Sequence, residues 1–70
     1  MRLIIELDRE TDGRWIADVI DLPGVMAYGA TREEALAAAQ ALALRVLADK
    51  LEHGEVPSAP VDVSFAVAAA

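Results

Sequence analysis

Five acidic residues of the N-terminal third are the first candidates for chemistry, because carboxylates that converge on one point bind catalytic magnesium or manganese. They are Asp8, Glu10, Asp12, Asp18 and Asp21, and they fall on a predicted β-hairpin. Side chains alternate between the two faces of a strand, and Glu10 and Asp12 fall in the connecting loop, so the spacing disfavours convergence. We interpret the group as a solvated, charged hairpin. A minimal metal-dependent nuclease that uses Asp8 and neighbouring carboxylates is the less favoured alternative.

The other reactive side chains have no partners at a useful spacing in the sequence. His53 is the only histidine, with Asp49 four residues before it and Glu52 adjacent. Ser58 and Ser64 have no neighbouring base, the chain has no cysteine, and its four glycines are too scattered for a phosphate-binding loop. The sequence therefore predicts no catalytic residue, no metal site and no cofactor, in a protein that is not an enzyme.

Hydrophobic spacing predicts the strands that position these residues. Asp12-Gly13 is a strong hairpin signal between the first two strands, because glycine tolerates a positive φ. Pro23 and Gly24 suit the two central positions of a type II turn before the third strand. Apolar and polar residues alternate again near the C-terminal end. The predicted strands are 2–8, 14–20, 25–28 and 61–67.

One long helix is predicted between the third and fourth strands. Thr31 and Glu34 form a capping-box pattern at its start, and Gly54 is suited to close it after about His53. Pro57 forbids its continuation. At 3.6 residues per turn, one side of the helix gathers residues that we expect to pack on the sheet. These are Leu36, Ala39, Ala43, Val46, Leu47 and Leu51.

The element order βββαβ predicts an α+β two-layer sandwich, an antiparallel sheet with one helix across one face, as a single domain over residues 1–70. Hydrophobic residues make up 56% of the 70, and 15 of them are alanine. One helix covers one face only, so we expect the chain to self-associate as a homodimer or a higher even oligomer. The residues predicted for that contact are Ile4, Ile16, Ile20, Val61, Val63 and Phe65.

The charge balance narrows the class of partner. Six basic residues stand against twelve acidic ones, for a formal net charge of −6. Nucleic-acid binding depends on clustered lysine and arginine, so no direct nucleic-acid contact is expected. The longest apolar stretch, residues 35–44, is too short to span a membrane, and the N-terminus lacks a signal-peptide pattern. We expect a cytoplasmic protein with no membrane contact.

Two motifs in combination carry a family resemblance. Asp21-Leu22-Pro23-Gly24 is followed, after four residues, by Gly29-Ala30-Thr31-Arg32-Glu33-Glu34-Ala35-Leu36. Together with the Asp12-Gly13 hairpin and the aromatic residue that follows it, these motifs resemble the HicB-like antitoxin family over residues 5–57. The sequence departs from the family pattern at Val25, where cysteine is frequent. It also has nothing after Val67 that resembles the C-terminal DNA-binding segment of many members.

The resemblance implies a partial ribonuclease H fold without a catalytic cluster. It also implies a non-catalytic binding protein that neutralises a small, basic, mRNA-cleaving toxin of the HicA type by covering it. On this reading, Asp21, Leu22, Pro23, Gly24 and Tyr28 face the toxin. Trp15 and Leu36 serve as scaffold, and this chain alone does not bind a promoter. An orphan self-associating module without a toxin is the alternative.

Overall fold

The first hairpin forms the centre of the sheet in the computed structural model, which describes residues 1–56 and 60–68. The elements in chain order are β1 (Arg2–Arg9), β2 (Trp15–Val19), β3 (Met26–Gly29), α1 (Arg32–Glu52) and β4 (Ser64–Val67). They form one four-stranded sheet in the order β3-β2-β1-β4, with α1 packed on one face. The predicted α+β class and the order βββαβ are therefore confirmed.

The prediction of an antiparallel sheet is wrong for one of the three strand pairs. β1, β2 and β3 are antiparallel neighbours, but β4 pairs parallel with β1. The reason is the helix, whose 21 residues extend about 30 Å at 1.5 Å per residue. α1 returns the chain to the end of the sheet where β1 begins. β4 therefore enters beside β1 in the same direction, and the sheet is mixed.

Both ends of α1 lie where the sequence places them. The Thr31 hydroxyl accepts a hydrogen bond from the backbone N–H of Glu34 at 3.1 Å, and the Glu34 carboxylate accepts from the N–H of Ala30 at 3.1 Å. This is a complete capping box. At the other end, Gly54 takes up a left-handed conformation with φ of 69° after the cap residue His53. The predicted stop at Pro57 lies outside the described residues.

Small side chains bring the helix close to the sheet. Three of the four residues that the helix buries are alanines, Ala35, Ala39 and Ala43, and the fourth is Leu47; the helix packs mainly on β2 and β3. The prediction that Leu51 packs on the sheet is wrong, since that side chain is 42% exposed. The buried stripe ends at Leu47, and Leu51 lies one turn further on, in the last turn of the helix. On the sheet, the core residues are Leu3, Ile5, Ala17, Val19 and Val25.

Within the described residues, no helix combines the length and the apolar character needed to cross a bilayer.

Candidate functional site

The sheet has one face that the helix does not cover, which we call the open face. Leu3, Ile5, Ala17 and Val19 are buried on the helix side, and their neighbours along each strand point the other way. The open face consists of Arg2, Ile4, Glu6 and Asp8 on β1, Ile16 and Asp18 on β2, Met26 and Tyr28 on β3, and Ser64 and Ala66 on β4. The expectation that Ile4 and Ile16 point away from the helix agrees with this register.

Two carboxylates oppose each other at the middle of the open face. Glu6 pairs with Asp18 in the β1–β2 register, and Asp18 pairs in turn with Met26 of β3. Like charges placed directly opposite in an antiparallel pair are destabilising. The described residues place no basic side chain within ion-pair distance of either carboxylate. This part of the face is therefore acidic and uncompensated.

An open depression of about 360 Å³ lies around this pair. It is lined by Glu6, Leu7, Asp8, Glu10, Ile16 and Asp18. Glu6 was not among the predicted site residues, although its position two residues before Asp8 on one strand already places both side chains on the same face. Ile16 lies among the lining carboxylates, so the depression offers an apolar surface with an anionic rim.

Of the five predicted hairpin carboxylates, Asp8, Glu10 and Asp18 line this depression, and they do not form a metal-binding cluster. Within residues 1–56 and 60–68, only Asp49, His53 and Glu55 bring three ligand atoms within 4.8 Å of one another. All three are exposed, and Lys50 lies 4.0 Å from the Glu55 carboxylate. His53 also contacts Asp49, with Nδ1 3.3 Å from a carboxylate oxygen and 2.8 Å from the backbone carbonyl. We regard this group as a set of polar contacts that closes the helix.

Apolar side chains flank the acidic centre on both sides. Ile20 lies opposite Ile4, where its N–H donates to the Ile4 carbonyl at 3.1 Å, and it is 47% exposed. On the other side Ile16 pairs with Tyr28, which is 46% exposed. The Arg14 guanidinium stacks 4.5 Å from the centre of the Tyr28 ring. The face thus combines aliphatic and aromatic contact area with negative charge.

Arg14 also organises the tip of the hairpin. Its backbone N–H donates to one carboxylate oxygen of Asp12 at 3.0 Å, and its Nε donates to the other at 2.7 Å. These two hydrogen bonds lower the pKa of Asp12 below its ordinary value of 3.8, the backbone bond being the larger cause. Asp12 is thereby committed to the turn and does not reach the depression.

The turn at residues 21–24, predicted to face a partner, contains two residues with internal contacts and two that are only exposed. Val25 N–H donates to the Leu22 carbonyl at 3.0 Å and Gly24 has a φ of 83°, which agrees with the predicted type II turn. Leu22 packs against the core, and Asp21 accepts from the Ile4 N–H at 2.7 Å. Pro23 and Gly24 remain exposed.

The scaffold and self-association residues lie mainly on the helix side. Trp15 and Leu36 are partly buried against the core, as Val63 and Phe65 also are. Phe65 pairs with Leu3 in register, so it does not share a face with Ile4. Val61 is 42% exposed. The residues predicted for self-association therefore divide into an open-face group and a second group in β4 and the segment just before it.

Comparison with known proteins identifies no relative. No protein-family model matches this sequence, and neither a curated protein nor a solved structure matches it significantly.

Proposed function

We propose that this chain is a non-catalytic binding protein that recognises a small, basic protein through its open face. The two motifs that resemble the HicB-like family suggest the identity of the partner. In this proposal the partner is a HicA-type mRNA-cleaving toxin and the chain is its antitoxin. The observation that carries the proposal is the opposed pair of Glu6 and Asp18, set among exposed apolar side chains.

Charge selects the type of partner. A second copy docked on the open face would bring two sets of these carboxylates together, and such like-charge contacts oppose association. A partner that presents lysine or arginine would instead neutralise Glu6 and Asp18 and relieve their mutual repulsion. The formal net charge of −6 would also steer a basic protein towards the chain over a longer range.

The apolar side chains of the open face would supply the area that a complex buries, which its charged side chains do not provide. Ile20, Met26 and Tyr28 are each more than two-fifths exposed and lie around the acidic centre. Tyrosine and isoleucine of this kind bury apolar area in a complex, and charged side chains at their border fix the orientation of the partner. Pro23 and Gly24 of the predicted partner-facing turn, between β2 and β3, are exposed as well.

The test is inhibition of an identified toxin by the purified chain. The partner is the small basic protein that co-purifies with the tagged chain from its native host, identified by mass spectrometry. We expect it to cleave RNA when alone and to lose that activity on addition of the chain. Complex formation should weaken as ionic strength rises, because salt screens exposed charges.

Matched charge reversals locate the surface. Glu6→Lys should weaken binding by at least about tenfold, a loss of about 1.4 kcal/mol. Glu52→Lys makes the same change on the exposed last residue of α1 and should leave binding unchanged. Recovery of no small basic protein from the host, or equal weakening by both variants, would contradict the proposal. RNA cleavage by the chain itself, dependent on magnesium and abolished by Asp8→Asn, would favour the nuclease alternative.

A further inference from the structure

The outer edge of β4 is a second candidate binding surface, and it is separate from the open face. β4 has β1 on one side and no strand on the other among the described residues. The backbone N–H groups of Ser64 and Ala68 donate to the carbonyls of Met1 and Ile5, each at 2.9 Å. Since alternate residues of a strand direct their backbone groups to opposite sides, those of Phe65 and Val67 point to the free edge.

Apart from its short length of four residues, β4 carries none of the devices that usually protect an edge strand. Edge strands are commonly blunted by charged side chains, proline or bulges, or by a covering helix. The strand Ser64–Val67 contains no charged residue and no proline, and it makes no substantial contact with α1. The other edge strand, β3, is different: α1 packs on it, and the Arg14 guanidinium lies over Tyr28.

The position of the helix leaves apolar area beside this edge. α1 packs mainly on β2 and β3 and only marginally on β1. As a result, Val67 is 39% exposed, Val61 is 42% exposed, and Phe65 is only partly buried. Unpaired backbone groups and uncovered apolar side chains therefore coincide along one uncharged strand.

We propose that two copies of this chain pair through β4, antiparallel about a two-fold axis perpendicular to the sheet. The pairing joins two four-stranded sheets into one continuous sheet and brings Phe65 and Val67 of each copy against their counterparts. We assign the partner as a second copy because β4 carries no charged residue, so two identical edges can pair without repulsion. A two-fold axis then lets each strand satisfy the free backbone groups of the other. The two β1 strands are then about 14 Å apart, beyond the Debye length at physiological salt, so the carboxylates of Glu6 and Asp8 do not oppose it.

The dimer places both open faces on the same side of the joined sheet. Each copy then presents its own acidic surface, and β4 takes no part in that surface except through Ser64 and Ala66. Self-association through β4 and recognition of a basic protein through the open face are thus compatible. Because they use different surfaces, the two proposals can be tested independently.

Sedimentation equilibrium at micromolar concentration tests the proposal directly. We expect twice the chain mass of 7.4 kDa. Val67→Lys should give a monomer, because it places a charge on the edge. Val67→Pro should do the same by removing an N–H that only a partner would use. Met26→Lys, a matched change at the 42% exposed residue of the other edge strand, should remain dimeric.

Circular dichroism separates loss of the dimer from loss of the fold in these variants. Amide hydrogen exchange of the unaltered chain gives an independent readout, in which the Phe65 and Val67 amides should be protected and lose protection on dilution. A monomeric wild-type chain, or a dimer that survives Val67→Lys and dissociates with Met26→Lys, would overturn the proposal. Glu6→Lys should stay dimeric, so failure of the proposed function is distinguishable from failure of the β4 dimer.

Discussion

Glu6 lies directly opposite Asp18 in the β1–β2 ladder, so that two carboxylates occupy one cross-strand pair on the open face. A pair of opposite charges at such a position stabilises a sheet, and a pair of like charges destabilises it. The chain therefore keeps an arrangement that reduces its own stability. A basic partner would convert this unfavourable pair into a favourable contact.

Glu6→Lys should consequently stabilise the isolated chain while it weakens partner binding. We expect the free energy of unfolding to rise by about 0.5 kcal/mol, since a repulsive pair becomes an attractive one. Urea denaturation at low ionic strength measures the change, and added salt should reduce it. In the Asp18→Asn background the gain should shrink. A gain that is equally large there would show that the two carboxylates do not interact.

Gly29→Ala should destabilise the chain at the junction between β3 and α1. A Cβ atom at Gly29 would lie 2.9 Å from the Cα of Ala35, a backbone atom of the first helical turn. Because backbone cannot move aside as a flexible side chain does, we expect a loss of about 1–3 kcal/mol in the free energy of unfolding. Thermal denaturation measures it. Ala30→Ser, at the exposed neighbouring residue, should have little effect and serves as the control.

Thr31→Ala should remove the N-terminal cap of α1. The hydroxyl that accepts the Glu34 N–H at 3.1 Å is lost, and we expect the chain to be destabilised by about 1 kcal/mol. Thr31→Ser keeps the acceptor oxygen and should retain most of the stability. Chemical denaturation of the three proteins compares them, and an equal loss in the serine variant would show that the methyl group, rather than the cap, matters.

Asp21→Ala should loosen the end of the first hairpin without a change in fold. The Asp21 carboxylate accepts from the Ile4 N–H at 2.7 Å, at a solvent-exposed position where water can substitute. We expect a loss of about 0.5–1.5 kcal/mol and faster exchange of the Ile4 amide. Asp62→Ala is a suitable control, because the contact of Asp62 with the N-terminal amine uses its backbone carbonyl. Unchanged exchange at Ile4 would contradict the structural role of Asp21.

Asp12 should contribute an acid-sensitive part of the stability. Its pKa is lowered below 3.8 by the backbone and side-chain hydrogen bonds from Arg14, so the folded chain favours the ionised form. This contribution is present above 3.8, and it is lost as the pH falls through the lowered value. NMR titration should show the pKa of Asp12 rising only part of the way in Arg14→Gln, because the backbone bond remains. A complete return to 3.8 would assign the whole effect to the side chain.

Much of the local structure could be predicted from residue order. The capping box at Thr31 and Glu34, the turn at Pro23-Gly24 and the helix stop near Gly54 each depend on hydrogen bonds or dihedral angles within a few residues. The sequence also indicated which residues of β1 and β2 face away from the helix, because a strand alternates strictly. The predicted βββαβ order therefore depended only on short-range physics.

Only the tertiary structure determined which strands and which side chains are neighbours. The parallel pairing of β4 with β1, the pairing of Glu6 with Asp18 and the exposure of Leu51 all depend on how distant parts of the chain lie relative to one another. Periodicity fixes the face on which a side chain lies, but it does not fix strand order or how closely the helix approaches the sheet, which at Gly29, Ala35 and Ala39 depends on packing between the layers. For that reason the acidic centre of the open face and the unpaired edge of β4 became visible only in the folded chain.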